Sequence, residues 1–208
     1  MTPRHALVVS PRGGVGTAVA EELRRRGVRV SGAGRREPEP GVVEAFHPFE
    51  LTSGDWPALY QRVAGEGPLD AVVYAAGAGA FGRTVAFSSD EAREVFEVNF
   101  WALAAAASAA ADRWSRNGSP ACFLAVLSIA GRRPVPFEAW YGASKAAAAR
   151  YLEELQLEVP PSIRFVPAFP GLIRTGFRAS APWKGLVPAA AGAGASPEAT
   201  ARRLCDLL

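Results

Sequence analysis

The alternation of short β-prone runs with longer helical stretches constrains this chain more than any other feature. Residues 6–9, 28–32, 43–49, 69–74, 122–127 and 163–166 read as strands, with helices at 15–26, 53–63, 88–116 and 141–157 between them. A last helix opens at Ser196-Pro197-Glu198, where a capping serine, a proline at the first helical position and an early acid coincide. Helical crossovers between parallel strands cover both faces of a sheet. The run at 69–74 is apolar almost throughout, as burial on two faces demands. The expected fold class is α/β: a Rossmann-like, doubly wound parallel sheet with helices on both faces, in one domain over residues 1–208.

Local signals place the boundaries. Gly27 stops the first helix. Ser53 is a candidate N-cap for the second, and Ser88 with Glu91 has the spacing of a capping box. The proline-rich residues 37–41 exclude a long helix after the second strand. Residues 177–195, rich in Gly, Ala and Pro, are expected to be an irregular excursion.

Composition narrows the function. A net charge of +3 over 208 residues is mild. The arginine clusters at 24–26, 132–133 and 202–203 read as solvated faces, without the basic stripe of a nucleic-acid interface. No apolar stretch reaches membrane-spanning length free of charge, and residues 1–4 lead directly into a strand, so neither a span nor a leader is expected. Cys122 and Cys205 lie in apolar surroundings and read as small buried hydrophobes in a reducing, cytoplasmic compartment.

Ser10-Pro11-Arg12-Gly13-Gly14-Val15-Gly16 joins the first strand to the first helix. Glycine there allows a tight turn and lets a diphosphate approach the helix N-terminus, where free N–H groups and the dipole favour an anion. After the second strand stand Gly34, Arg35 and Arg36. An acid near this point would bind a ribose 2′-hydroxyl, whereas a guanidinium suits a 2′-phosphate, with Arg12 adding charge from the loop. The pattern favours NADP(H) over NAD. The competing reading is that Arg35 and Arg36 are ordinary loop charges.

Ser128, Tyr141 and Lys145 form the most specific constellation. Tyr141 and Lys145 are four apart at a helix start and share a face. An ammonium beside a phenol favours the phenolate, bringing the ordinary pKa of about 10 toward neutrality. The Ser128 hydroxyl, at the end of the fifth strand, is placed to hold a carbonyl beside the phenol. The chain has two lysines and four tyrosines, so about 0.04 Tyr–Lys pairs at this spacing are expected by accident.

From about Leu7 to Leu208 the sequence resembles the short-chain dehydrogenase/reductase family. Tyr141-Gly142-Ala143-Ser144-Lys145 matches its Tyr-x-x-x-Lys, and Ser128 has the family's spacing from that tyrosine. Asn99 matches its asparagine on the long helix, a residue that alone would read as structural. Pro170-Gly171-Leu172-Ile173-Arg174-Thr175 resembles the Pro-Gly-x-x-x-Thr that lines the nicotinamide, and Glu50-Leu51-Thr52 the segment near the adenine. Gly14, Gly16, Ala76 and Gly77 match further family positions, and Arg35 falls where NADP-preferring members carry a basic residue. The resemblance implies hydride transfer between nicotinamide C4 and a small carbonyl or alcohol. Tyr141 would exchange the proton, Lys145 would lower its pKa and hold the ribose, Ser128 would polarise the oxygen, and Asn99 would position a water relay. Ser10, Arg12, Gly14, Val15, Gly16, Arg35, Arg36, Glu50, Leu51, Ala76, Gly77, Pro170, Gly171, Ile173 and Thr175 would line the NADP(H) site.

The sequence also departs from the family. Val9-Ser10 stands for its Thr-Gly, and Tyr74-Ala75 for the Asn-Asn before Ala76-Gly77. Its usual seventh strand has no counterpart before Leu208, so the usual tetramer is not expected. The Ala-rich stretches at 104–111 and 146–149 suit either a homodimer contact or packing within the monomer. Phe137, Trp140, Phe177 and Trp183 are candidates for an apolar substrate wall. The rival to an enzyme is a non-catalytic NADP(H)-binding sensor or regulatory protein on the same fold, favoured by the altered glycine loop. A structural subunit is a third reading.

Overall fold

In the computed structural model, which describes residues 3–184 and 194–208, β1 (His5–Val9) enters α1 (Gly14–Arg25) through the glycine turn. Next come β2 (Arg29–Gly34), β3 (Ala45–Pro48), α2 (Trp56–Gly65) and β4 (Ala71–Tyr74). A two-residue strand, β5 (Phe81–Gly82), precedes α3 (Ser89–Phe96) and α4 (Ala102–Asn117). The chain continues through β6 (Ala121–Val126), α5 (Ala139–Glu158), β7 (Ile163–Ala168), α6 (Phe177–Ser180), β8 (Trp183–Lys184) and α7 (Pro197–Cys205). Six strands pair in parallel in the order β3-β2-β1-β4-β6-β7. The expected α/β doubly wound fold is what the chain adopts.

Strand alternation explains the continuous apolar runs. On β1, Leu7 and Val9 face the core beneath α2, α4 and α5, while Ala6 and Val8 face that beneath α1 and α7. The register aligns Val9 with Ala33 on one side and Tyr74 on the other, and Tyr74 with Ala125. The C-terminal strand ends therefore share one edge. The strand order reverses between β1 and β4, and there doubly wound sheets open a ligand crevice.

Several boundaries differ from expectation. β3 covers only Ala45–Pro48 of the expected 43–49. Ser53 does not cap the second helix: Asp55 does, accepting from the Ala58 N–H at 3.0 Å. A turn comes first, closed by Gly54 N–H to the Glu50 carbonyl at 2.8 Å, and it displaces the start by two residues. The Ser88–Glu91 capping box forms in both directions. The helix it opens is not continuous, because Glu97–Trp101 is a π-helical turn centred on Asn99. Within the expected excursion, α6 and β8 are ordered, and β8 pairs with β5 in a second small parallel sheet. Residues 185–193 of that stretch lie outside the described residues.

The alanines of α4 are largely consumed inside the chain: Ala102, Ala104, Ala106, Ala107, Ala110 and Ala111 are buried. Arg26 is not a solvated charge, since it pairs with Glu22 and Asp206 and ties α1 to α7. Cys122 and Cys205 are buried and free. Among the described residues no helix is long and apolar enough to cross a membrane.

Candidate active site

The glycine turn is built around Ser10, whose φ of 66° lies in the left-handed region. Few non-glycine residues adopt that conformation, and it costs about 1–2 kcal/mol. The turn is held by Ser10 N–H to the Ala33 carbonyl at 2.7 Å and Gly13 N–H to the Ser10 carbonyl at 3.2 Å. A Cβ at Gly16 would collide with that same carbonyl. α1 then begins with no capping side chain and no acid in its first turn, which leaves its N-terminal N–H groups for an anion. A Cβ on Gly14 would stand 2.7 Å from Thr175 Cγ2, so the Pro-Gly segment after β7 reaches the glycine turn.

At the end of β2, Arg35 and Arg36 are exposed and have no hydrogen bond or ion pair among the described residues. Arg12 is exposed on the loop and donates to the Glu37 carbonyl at 3.3 Å. Uncapped N–H groups for a diphosphate and unpaired guanidinium groups for a further phosphate fit a phosphorylated dinucleotide. Other candidates sit around this edge in different ways. Val15 packs partly buried on the α1 face, and Leu51 on the opposite core. Glu50 is exposed, whereas Ala76 is buried at the end of β4. The Pro170 carbonyl accepts from the Ile129 N–H at 3.0 Å, while Gly171 has open space about it. Ile173 bridges to Ala195.

Asn99 and Lys145 meet next to Gly77, with Tyr141 beside Lys145 and Ser128 beside Tyr141. A Cβ on Gly77 would lie 3.3 Å from Asn99 Oδ1 and 3.4 Å from Lys145 Nζ. Ser128 follows β6 and caps a short 3₁₀ turn, accepting from the Ala130 N–H at 3.2 Å. Tyr141 is the third residue of α5 and 8% exposed; Lys145, one turn on, is 2% exposed. The Lys145 ammonium lies 5.8 Å from the Tyr141 ring centroid and donates to the Val126 carbonyl at 3.2 Å.

Asn99 is fully buried. Its Oδ1 accepts from the Ala78 N–H at 2.9 Å, and its Nδ2 donates to the Ala78 carbonyl at 2.8 Å and to Ser144 Oγ at 3.0 Å. The carboxamide is therefore spent on clamping the loop after β4 to α5. Ser144 in turn donates to the Tyr141 carbonyl at 2.8 Å.

Burial dominates the electrostatics. It pushes the Tyr141 phenol up to about 12, outweighing the neighbouring Ser128 hydroxyl, which acts the other way. It pushes the Lys145 ammonium down to about 8. In this conformation desolvation is the largest influence on both groups. The cause is an aromatic cover: Phe81 meets Tyr141 edge-on at 5.5 Å, and Phe177 lies 5.9 Å away. Trp183 packs on Phe81 at 4.9 Å. Of the four aromatics proposed as an apolar wall, Phe177 and Trp183 join this cover, whereas Phe137 is 37% exposed and Trp140 half-buried outside it.

Sequence reasoning missed Phe81, which is isolated in a Gly- and Ala-rich loop. It also missed Glu138, although the i, i+3 spacing to Tyr141 was legible. Beside the cover lies a cavity of about 250 Å³, bounded by Gly77, Ala78, Phe87, Val95, Phe177 and Pro182.

Comparison with known proteins gives this geometry a family. The sequence profile described as short chain dehydrogenase matches residues 4–184. An uncharacterized oxidoreductase of Myxococcus xanthus is 30% identical over 193 residues, covering 86% of this chain and 76% of that protein. A 3-ketodihydrosphingosine reductase of Bacteroides thetaiotaomicron is 27% identical over 186 residues, covering 85% of this chain and 66% of that protein. Among solved structures, an alcohol dehydrogenase from the archaeon Thermococcus sibiricus, complexed with 5-hydroxy-NADP, superposes with a TM-score of 0.81 at 25% identity; the match covers 98% of this chain and 89% of that one. With the sheet order, the glycine turn and the Ser128–Tyr141–Lys145 cluster, these matches establish that the chain belongs to the short-chain dehydrogenase family, as a divergent member.

Proposed function

We propose that the protein is an NADP(H)-dependent oxidoreductase that interconverts a small carbonyl compound and its alcohol. The observation that carries this reading is the convergence of Ser128, Tyr141 and Lys145, with Lys145 beside Gly77, at the sheet edge where the glycine turn and Thr175 also meet. Bound NADP(H) supplies or accepts the hydride. Ser128 Oγ orients the substrate oxygen. Tyr141 Oη gives its proton to that oxygen in reduction and takes it back in oxidation. Lys145 Nζ, held by the Val126 carbonyl, supports the phenolate and reaches the ribose. Asn99 keeps the Ala78 loop and α5 at fixed separation. Gly14, Val15 and Gly16 hold the diphosphate, Arg35 with Arg12 and Arg36 the 2′-phosphate, Glu50 and Leu51 the adenine side, and Thr175 the nicotinamide side.

The expected setting is cytoplasmic, without nucleic-acid or membrane partners. A homodimer across α4 and α5 is favoured by Trp101, which stands 58% exposed at the head of α4. A monomer by light scattering at micromolar concentration counts against that contact.

The first test is titration with NADPH and NADH, followed by nicotinamide fluorescence. Micromolar binding that prefers NADPH, and loses the preference in R35A/R36A, supports the cofactor assignment. A carbonyl panel with Tyr141→Phe then tests the chemistry, and turnover by the variant as fast as the wild type sinks it. The aromatic cover on Tyr141 favours a second reading, a nucleotide-binding sensor, for which NADPH binding without turnover of any carbonyl is the expected result.

A further inference from the structure

Residues 177–184 fold back over Tyr141, and an ion pair fastens them there. Arg178 Nη1 donates to Glu138 Oε1 at 2.6 Å. Glu138 is 6% exposed and stands directly before α5, three residues ahead of Tyr141. Its backbone is fixed from both sides. Phe137 holds a φ of 65°, a conformation that a bulky residue keeps only where its surroundings impose it. The Phe137 carbonyl accepts from the Gly82 N–H at 2.8 Å, and the Glu138 carbonyl from the Gly142 N–H at 2.6 Å.

The guanidinium lies over the aromatic cover, 4.3 Å from the Phe81 centroid and 4.9 Å from that of Trp183. Phe81 in turn touches Tyr141. The same segment is tied to α3 by Lys184, which donates to Glu91 at 2.7 Å. A carboxylate buried this near a phenol opposes its ionisation, and a guanidinium favours it; Glu138 and Arg178 act on Tyr141 in these opposite senses. The other polar groups facing the phenol are Ser128, from the end of β6, and Lys145, from α5 itself.

We propose that Glu138 and Arg178 are positioning residues for Tyr141: one half-buried ion pair that pins residues 177–184 over the phenol and balances the charge around it. The proposal rests on the reading of Tyr141 as the proton-transfer group, and its test separates the two. Tyrosine ring ζ-carbon resonances, assigned with Tyr141→Phe, report the ionised fraction at a fixed alkaline pH where circular dichroism shows an intact fold. Glu138→Gln leaves the guanidinium alone and is expected to raise that fraction. Arg178→Gln leaves the carboxylate alone and is expected to lower it. The double variant removes both charges and the pin together, and its fraction is expected to fall between those of the two single variants.

The shifts correspond to about 0.5–1 pH unit in each direction. The pH profile of kcat/KM is expected to move with them. E138D and R178K keep both charges and are expected to titrate like wild type, which guards against a variant that fails to fold. A clamp without an electrostatic part moves both single variants the same way, and that result, or no movement, overturns the proposal. Opposite shifts of the resonance, together with full turnover by Tyr141→Phe, support the pair's action on the phenol and discard the catalytic reading instead.

Discussion

Asn99 offers the sharpest test of how this site is held together. Its carboxamide makes three hydrogen bonds, to both backbone groups of Ala78 at 2.9 and 2.8 Å and to Ser144 Oγ at 3.0 Å. Asn99→Ala deletes all three. Each net bond is worth about 1 kcal/mol, and a buried partner left without one costs more. Ser144 is fully buried, while the Ala78 contacts are only partly so and water can repair them. The expected loss is therefore about 3 kcal/mol, equivalent to about 6–12 °C in Tm for a chain of this size. Urea denaturation followed by circular dichroism measures it. Asn99→Asp gives up both donors and sets a carboxylate oxygen against the Ala78 carbonyl at a fully buried position, so a loss at least as large is expected. Tyr60→Phe, which removes one buried bond at 2.9 Å to the Ala106 carbonyl, provides a scale of about 1 kcal/mol. A loss in Asn99→Ala no larger than that of Tyr60→Phe would refute the clamp.

Two further predictions concern the rest of the molecule. Ser10→Gly relieves a left-handed serine at about 1–2 kcal/mol but adds flexibility to the unfolded chain, for a net gain of about 0.5–1 kcal/mol in urea denaturation; a loss means the hydroxyl outweighs the strain. Stability is also expected to fall with acid in two steps. Burial holds His5, among Gly67, Ser31, Glu66, Arg29 and Asp70, below its ordinary 6.5. The unfolded chain then binds the extra proton, and stability present above pH 6.5 is lost as pH falls through the folded value. Arg25 and Arg26 hold Glu22 at about 2, so its contribution is complete above 4.5 and lost as pH falls toward 2. His5→Gln is expected to remove the first step and Glu22→Gln the second. A stability curve flat between pH 7 and 5 in the wild type contradicts the His5 argument.

The sequence made the sheet legible because each strand is apolar on both faces, so its pattern needs no partner to interpret. β1 and β4 were placed to within two residues from the apolar runs alone. The breaks inside helices were not legible. Nothing in Val98-Asn99-Phe100 announces a π-helical turn, because the extra residue is stabilised by Ala78 and Ser144, 21 residues before it and 45 after it. The second helix was started too early for a similar reason: Ser53 and Asp55 are both good caps locally, and the Gly54 turn against Glu50 decides between them.

The candidate site divides along the same line. Ser128, Tyr141 and Lys145 were legible because their chemistry depends on spacing within and just before one helix. The protonation behaviour was not, because it depends on what covers them. The sequence places an ammonium near a phenol and suggests a depressed phenol. In the folded chain, Phe81 from β5 and Phe177 from α6 cover Tyr141 and Lys145 is buried beside it, so desolvation wins and each neutral form is favoured. The phenol is held up and the ammonium down in this conformation. On the proposed reading of Tyr141 as the proton-transfer group, lifting this cover favours its ionisation.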